Sequence, residues 1–209
     1  GFNSSPKTYV LDIALLDELT LDEWVKQAKF IQDNLTAEVV DSAFQAFPEE
    51  VRDETIAEIK AVLLARVANI EKTAKEYYEI INNHVVITGT DKDDLFEIDY
   101  RANDVEINGF RIKDGAKGIR FYHHVFTDKV TKEIWIYGLD DDDEFVVTGK
   151  NRSKIKVRLI GGQNNDVYDV AEGGKTYIYD YKSKKSTFKN VTNAKVHLTD
   201  NYAVNTYQP

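Results

Sequence analysis

The sequence contains no cysteine and no methionine, and only three of its 209 residues are proline. Without cysteine the chain has no thiolate nucleophile, no disulfide and no zinc or iron–sulfur site with sulfur ligands. Without methionine it has no initiator residue, and we therefore expect it to be a piece of a longer protein.

Basic side chains and long apolar runs are also scarce. Lysine and arginine number 27 against 36 aspartates and glutamates, which gives a net charge of −9. A nucleic-acid-binding protein concentrates positive charge to neutralise phosphates, so we expect no nucleic-acid partner. No apolar run approaches the roughly 20 residues that a membrane-spanning helix needs, and we expect no membrane insertion of this segment.

The motifs of common enzyme classes are missing as well. The sequence has no G-x-S-x-G, P-loop, H-E-x-x-H or dinucleotide-binding pattern. His123 and His124 are neighbours in a strand-like run. Their side chains therefore point to opposite faces and cannot easily share one metal ion. These observations predict that the chain is not an enzyme. The alternative is a carbohydrate-active β-helix enzyme, which would use aspartate and glutamate on an exposed strand face.

Residues 1–82 have the sequence pattern of a helical bundle. The capping-box pattern of Thr20 and Glu23 predicts a helix over residues 21–34. Thr36 can cap a second helix. Pro48, followed by two glutamates, predicts the start of a third and long helix that ends near Asn82.

Residues 83–209 are rich in β-branched and aromatic residues and hold nine of the 12 tyrosines. Short alternating segments separated by turn residues predict a series of strands. The sequence therefore predicts an α+β fold, in which an N-terminal helical bundle is followed by an all-β solenoid or β-roll-like domain. It leaves open whether residues 100–132 form a full coil of that domain or an inserted hairpin.

Three nine-residue stretches of the second segment align without gaps. They are GTDKDDLFE (89–97), GLDDDDEFV (138–146) and GGQNNDVYD (161–169). Each follows a strand-like segment, begins with glycine, and has aspartate at the sixth place and an aromatic at the eighth. The sixth-place aspartates are Asp94, Asp143 and Asp166. The eighth-place aromatics, which we expect to stack in the interior, are Phe96, Phe145 and Tyr168.

This pattern resembles the G-G-x-G-x-D-x-U-x nonapeptide of RTX-like, calcium-binding β-rolls. Calcium takes six to eight oxygen ligands, which turn carbonyls and carboxylates can supply. The second and third stretches begin only 23 residues apart, whereas the first begins 49 residues before the second. We therefore predict a calcium site between the second and third. Its candidate ligands are Asp140, Asp141, Asp142, Asp143, Asn164 and Asp166.

A metal-free interpretation of the same turns stays open. The fourth place of the pattern favours a left-handed backbone, which Asp141 and Asn164 tolerate. Lys92 suits that place poorly and brings a positive charge to it. The acidic side chains can instead bond to the local backbone as Asx turns, without any ion.

Three segments carry a resemblance to a known family. The run EIWIYGL (133–139), then RLIGG (158–162) and YDYKSK (179–184), resembles the region that follows a calcineurin-like metallophosphoesterase domain in large Bacteroidetes-type surface proteins. The resemblance extends over residues 35–209 and is most specific in 133–184. It implies an extracytoplasmic, envelope-linked connector, periplasmic or at the cell surface. It implies no phosphoesterase activity, since the D-x-H and G-N-H metal-ligand motifs are absent from this sequence.

The composition, the turns and the resemblance together predict a non-catalytic structural or interaction module of a larger cell-envelope protein. Its expected partners are the other domains of that protein. Calcium, which is plentiful outside cells, is the expected stabilising ion.

Overall fold

The computed structural model describes Leu16 and residues 19–150, 153–172 and 175–208. The chain divides into two compact units, a helical unit from Leu16 to Ile81 and a β unit that begins at Asn82. Residues 1–15, 17 and 18 of the predicted helical domain lie outside the described residues.

Three α-helices and a short 3₁₀ turn make up the helical unit. They are α1 (Leu21–Asn34), α2 (Ala37–Gln45), the 3₁₀ turn (Glu49–Val51) and α3 (Glu54–Ile81). The predicted capping box of α1 is confirmed, because Thr20 Oγ1 accepts the Glu23 N–H and Glu23 Oε2 accepts the Thr20 N–H. The long helix begins later than predicted, because the 3₁₀ turn intervenes and Asp53 Oδ1 accepts the N–H of Thr55.

Two contacts join α1 to α3 within the helical unit. The rings of Trp24 and Tyr77 have their centroids 5.9 Å apart. Gln32 Nε2 donates to the carbonyl oxygens of Val67 and Ala68, at 3.1 Å each. These contacts hold α1 against the long helix.

The described part of the β unit contains eleven strands and one short helix. The strands are β1 (His84–Thr88), β2 (Asp94–Tyr100), β3 (Asp104–Lys113), β4 (Ala116–Thr127), β5 (Glu133–Leu139), β6 (Glu144–Thr148), β7 (Lys156–Gly162), β8 (Val167–Val170), β9 (Thr176–Asp180), β10 (Thr187–Phe188) and β11 (Ala194–Leu198). The helix, α4 (Tyr202–Asn205), follows the last strand.

The strands form two sheets that share one core. The first is parallel, with the strand order β1-β5-β7-β9-β11. The second is mixed, with the order β10-β8-β6-β2-β3-β4. Inward side chains of both sheets, such as Ile134 and Phe145, belong to the same buried cluster. Because alternate residues of a strand point to opposite sides, the other face of the parallel sheet is left for polar and aromatic side chains.

The prediction of an all-β solenoid or β-roll-like domain after a helical bundle is wrong. The described residues form an α/β fold with four α-helices and two separate sheets, one of which contains antiparallel strand pairs. The aligned nonapeptides record the local shape of three turns. This local shape does not determine which strands pair with each other, and so it does not determine the sheets.

The region left open by the sequence, residues 100–132, forms a hairpin. Strands β3 and β4 pair with each other in antiparallel fashion, and β3 pairs with β2 in the same way. The pairing of β3 with β4 shifts register at Gly109 and Phe110. A Cβ on Gly109 would lie 2.9 Å from the ring of Phe121, so glycine is needed for this ring to pack. The hairpin makes the second sheet mixed.

None of the helices among the described residues combines the length and apolar character needed to cross a membrane.

Candidate functional site

The three aligned stretches form equivalent corners of the β unit, which we call the first (Gly89–Glu97), second (Gly138–Val146) and third (Gly161–Asp169) aspartate turns. Each turn leads from a strand of the parallel sheet to a strand of the mixed sheet. The sixth-place aspartates, Asp94, Asp143 and Asp166, are all fully buried at 0% exposure. A buried carboxyl needs hydrogen-bond partners, and its partners define its role.

A chain of hydrogen bonds joins each sixth-place aspartate to the next turn. The Asp94 N–H donates to Oδ1 of Asp143 at 2.9 Å. The Asp143 N–H donates to Oδ1 of Asp166 at 3.0 Å, and the Asp166 N–H donates to Oγ of Ser186 at 3.2 Å. The carboxyls of Asp143 and Asp166 therefore each satisfy a backbone donor that belongs to another turn, whereas the carboxyl of Asp94 accepts the Thr90 N–H of its own turn.

Glycine at the first place makes room for these carboxyls. A Cβ on Gly138 would lie 2.0 Å from Asp143 Oδ2, and a Cβ on Gly161 would lie 2.0 Å from Asp166 Oδ2. The carboxyl of each turn thus lies directly against the Cα of its own glycine. No larger residue fits there without displacing it.

The left-handed backbone predicted at the fourth place is confirmed in two turns. Asp141 has a φ of 65° and Asn164 a φ of 61°. Lys92 is not among the described residues with positive φ. This matches the intrinsic preferences of the three side chains, since Asp and Asn adopt this conformation more readily than Lys.

The predicted stack of eighth-place aromatics is confirmed. Phe96 and Phe145 lie 5.6 Å apart at 11°, and Phe145 and Tyr168 lie 5.2 Å apart at 6°. Phe188, which the sequence pattern did not include, extends the stack beyond Tyr168 at 5.3 Å. All four rings lie at paired positions of neighbouring parallel strands.

Two residues of this buried region escaped the sequence analysis. Asp180, also 0% exposed, accepts the hydroxyl of Tyr168 on Oδ2 at 3.1 Å and its neighbour's N–H on Oδ1. Arg111 of β3 forms an ion pair with Asp94 and also donates to Thr90 Oγ1. Asp180 lies outside the aligned nonapeptides and Arg111 comes from the hairpin, so the repeat pattern signals neither.

Burial makes two of the carboxyls very weak acids. Desolvation, reinforced by neighbouring carboxyls, raises the pKa of Asp143 to about 9 and the pKa of Asp166 to about 8. Burial also raises the pKa of Asp180. Both Asp143 and Asp166 are therefore protonated at neutral pH when no cation is present.

The other predicted calcium ligands lie nearer the surface. Asp140 and Asp142 are exposed, and Asp142 Oδ1 accepts the N–H of Asn165 at 3.0 Å. Asp141 Oδ1 accepts from the Asn164 amide at 3.4 Å, and its carboxylate lies 3.7 Å from Lys92 Nζ. The side chains of Asp141 and Asp142 thus bond to neighbouring turns, whereas the metal-free interpretation placed such bonds on the local backbone.

The donor set fits a calcium ion poorly in this arrangement. Among the residues that the structure describes, no group of three or more His, Cys, Asp or Glu side chains is placed to hold a metal ion. The Oδ2 atoms of Asp143 and Asp166 are buried and have no hydrogen-bond partner within the same part of the chain. Each lies against glycine, so two oxygens are available where calcium takes six or more. The calcium site stays a prediction.

The outward side of the parallel sheet carries a second cluster, which we call the aromatic–cationic face. On β5, β7 and β9 its residues alternate with buried ones, and the edge strand β11, which has no buried residue, adds two more. The residues of this face are Trp135, Lys156, Arg158, Tyr177, Tyr179, Lys195 and His197. A signal for it is present in the sequence, because these residues recur with a period of two in strand-like segments. The sequence analysis did not use that signal.

Glu133 anchors this face. It accepts hydrogen bonds from Trp135 Nε1 at 2.7 Å, from Lys156 Nζ at 3.0 Å and from Arg158 Nε. Burial alone would raise the pKa of Glu133, but these three donors lower the pKa to about 2. Glu133 is therefore a fixed anion across the physiological range.

No model of a protein family, no curated protein and no solved structure matches this chain. The aspartate turns and the aromatic–cationic face are accordingly the features that bear on function.

Proposed function

We propose that this chain is a non-catalytic structural and interaction module of a larger cell-envelope protein. The observation that carries the proposal is the use of the buried carboxyls. Asp143 and Asp166 each accept a backbone N–H from a different turn, at 2.9 and 3.0 Å. Carboxyls that hold one turn to the next contribute to stability and are not available to a substrate.

On the outward face of the parallel sheet, the arrangement of acids disfavours the alternative of a carbohydrate-active enzyme. A glycosidase needs two carboxyls on one accessible face, one of them able to donate a proton. Among the strand residues of the outward face of the parallel sheet, all of which the structure describes, Glu133 is the only acid. Its pKa of about 2 makes it unable to donate a proton near neutral pH.

The cell-envelope setting and the partners belong to the same proposal. They are supported by the resemblance of residues 133–184 to the connector region of surface proteins. In that setting the partners are the neighbouring domains of the parent protein, and calcium outside the cell is the ion available to the aspartate turns.

Hydrogen exchange on the full chain tests the structural role of the carboxyls. Asp143→Ala removes the acceptor of the Asp94 N–H, so exchange at Asp94 should accelerate although the substitution lies 49 residues away. Asp140→Ala, in the same turn but exposed, is the matched control and should leave Asp94 protected. Unchanged exchange at Asp94 in Asp143→Ala would contradict the proposal.

A turnover assay tests the non-catalytic part. We expect no release of reducing ends when the chain is incubated with plant and bacterial polysaccharides. Release that Glu133→Gln abolishes would establish the enzyme alternative.

A further inference from the structure

The aromatic–cationic face has a regular layout that the structural role of the aspartate turns leaves unexplained. Strand pairing places Trp135 beside Arg158, Arg158 beside Tyr177, and Tyr177 beside Lys195. Neighbouring strands lie about 4.8 Å apart, so rings and cations alternate along a row that crosses four strands.

The side chains of this row are held in place before any ligand arrives. The Arg158 guanidinium carbon lies 4.9 Å from the Trp135 ring centroid and 5.3 Å from that of Tyr179. Arg158 Nη1 also donates to the Tyr179 hydroxyl at 3.0 Å. Glu133 fixes the other side of the guanidinium, as described above. Preorganised side chains lose little conformational entropy on binding.

The far end of the row is more open. Lys195 and His197 of the edge strand β11 are exposed. Lys195 Nζ lies 5.3 Å from the Tyr177 ring centroid, and the His197 ring stacks on Tyr179 at 4.9 Å. A ligand can therefore reach rings and a free ammonium group together.

The charge of the face opposes that of the chain. Three cations, Lys156, Arg158 and Lys195, stand against the single anion Glu133, whereas the whole chain carries a net charge of −9. Concentrated positive charge on an acidic protein favours an anionic partner.

A cleft borders the same face. It has a volume of about 250 Å³ and is lined by Trp135, Arg158 and Tyr179 together with Ala203 and Val204 of the C-terminal helix. The flat side of a ring at a cleft suits the apolar face of a sugar, because sugar C–H groups pack on aromatic rings.

We propose that the aromatic–cationic face binds an acidic polysaccharide, one whose sugar rings carry carboxylates. The sugars lie along the row beside the rings of Trp135 and Tyr177, over which cations already lie. Their carboxylates pair with Lys195 and with the cations that Glu133 leaves partly uncompensated. The inference rests on the proposed non-catalytic role, because a face with one fixed anion binds such a chain without cleaving it.

Tryptophan fluorescence tests the proposal on the full chain. The sequence has two tryptophans, so Trp24→Phe leaves Trp135 as the only reporter. A polygalacturonate oligosaccharide should change its emission saturably, and a neutral dextran oligosaccharide of the same length should not. Equal responses to both probes, or none to polygalacturonate, would overturn the proposal.

A pair of charge reversals locates the site. Lys195→Glu should weaken polygalacturonate binding about tenfold, because it replaces an attraction by a repulsion at the rim of the face. Lys189→Glu makes the same change at an exposed position in another part of the β unit and should have no effect. Equal effects of the two substitutions would indicate non-specific attraction and contradict the assignment.

The fluorescence titration and the reducing-end assay, both carried out with polygalacturonate, together separate the two proposals. If polygalacturonate binds and is cleaved, the acidic-glycan site stands and the non-catalytic function fails. If it neither binds nor is cleaved, the site fails and the structural function stands.

Discussion

The backbone N–H of Asp94 donates to the carboxyl of Asp143 at 2.9 Å, across 49 residues of sequence. The same bond recurs between Asp143 and Asp166 at 3.0 Å, across 23 residues. Asp143 thus donates its backbone N–H to Asp166 and accepts the backbone N–H of Asp94 with its side chain. Because the accepting atom is a single oxygen, a neutral carboxamide can take the same part.

The raised pKa values predict that folding stability falls as pH increases. The pKa of Asp143 rises from 3.8 to about 9 on folding, and that of Asp166 from 3.8 to about 8. The folded chain therefore holds protons that the unfolded chain releases above about pH 4. Their stabilisation is complete below pH 3.8 and is lost as pH rises towards 8 or 9.

Asp143→Asn should remove one of the two groups that bind a proton in the folded chain and release it on unfolding. We expect urea unfolding midpoints of the variant to vary less with pH than those of the parent chain between about pH 5 and 8. The variant should also be the more stable of the two at the upper end. Asp140→Asn, at an exposed position of the same turn, is the control and should keep the parent slope. An unchanged slope in Asp143→Asn would show that this carboxyl is ionised in the folded state over that range.

Calcium would reverse the expected effect of Asp143→Asn on stability, because the ion binds ionised carboxylates. If the predicted site forms, calcium should raise the melting temperature relative to chelator, since a ligand that binds only the native state stabilises it. Combined Asp143→Ala and Asp166→Ala substitutions should abolish the increase. Identical melting curves in both buffers would leave the turns metal-free. Asp143→Asn then separates the cases, since it weakens a calcium-bound turn and stabilises an ion-free one at neutral pH.

Local features of the chain were predictable from the sequence. The capping box at Thr20, the left-handed backbone at Asp141 and the stacked ring of Phe145 each follow from residue types within a few positions of one another. Such features depend on short-range sterics and hydrogen bonding, which a nine-residue pattern records.

The fold class and part of the buried region were not predictable in this way. Arg111 reaches Asp94 only because β3 pairs with β2, and Asp180 enters the interior only because β9 pairs with β7. Strand pairing between distant segments determines these positions. For the same reason the repeat could not distinguish a uniform coil from two sheets with an inserted hairpin.

Glycine at the first place of the second turn should be irreplaceable. In Gly138→Ala the new Cβ would lie 2.0 Å from Asp143 Oδ2 and 2.6 Å from the Gly161 carbonyl oxygen, and the second of these is a backbone atom. We expect a loss of about 3 kcal/mol in the free energy of unfolding, measured with urea. Gly115→Ala controls for backbone strain. Its φ is +73° but nothing lies within 4 Å, so the cost should be about 1 kcal/mol. Equal losses would show that close packing at Gly138 is unimportant.

Trp24→Phe should leave the helical unit at least as stable as before. The indole nitrogen of Trp24 is buried and has no hydrogen-bond partner in the part of the chain that the structure describes, which costs free energy. Phenylalanine removes that nitrogen and keeps a ring against Tyr77. Thermal melting followed by circular dichroism checks this. Trp24→Ala is the contrast, since it also removes the ring and should lower the melting temperature. Loss of stability in Trp24→Phe would contradict this expectation and show that the packing of the larger ring outweighs the cost of the unpaired nitrogen.

Removing only Arg111 from its ion pair with Asp94 should lower the free energy of unfolding more than removing both charges. Asp94 is fully buried, whereas the Arg111 side chain is 29% exposed. Arg111→Ala leaves a buried carboxylate without its cation and should cost about 3 kcal/mol in urea unfolding.

Asp94→Asn in the Arg111→Ala background should recover much of that loss, because the carboxamide oxygen can still accept the Thr90 N–H that now bonds to Asp94 Oδ2 at 2.6 Å. Lys113→Ala, an exposed position on the same strand, controls for the loss of a cation and should be nearly neutral. If the double variant is as unstable as the sum of the two single variants, the residues are not coupled. Recovery would establish that Arg111 and Asp94 are coupled, and that this buried ion pair holds the hairpin to the first aspartate turn.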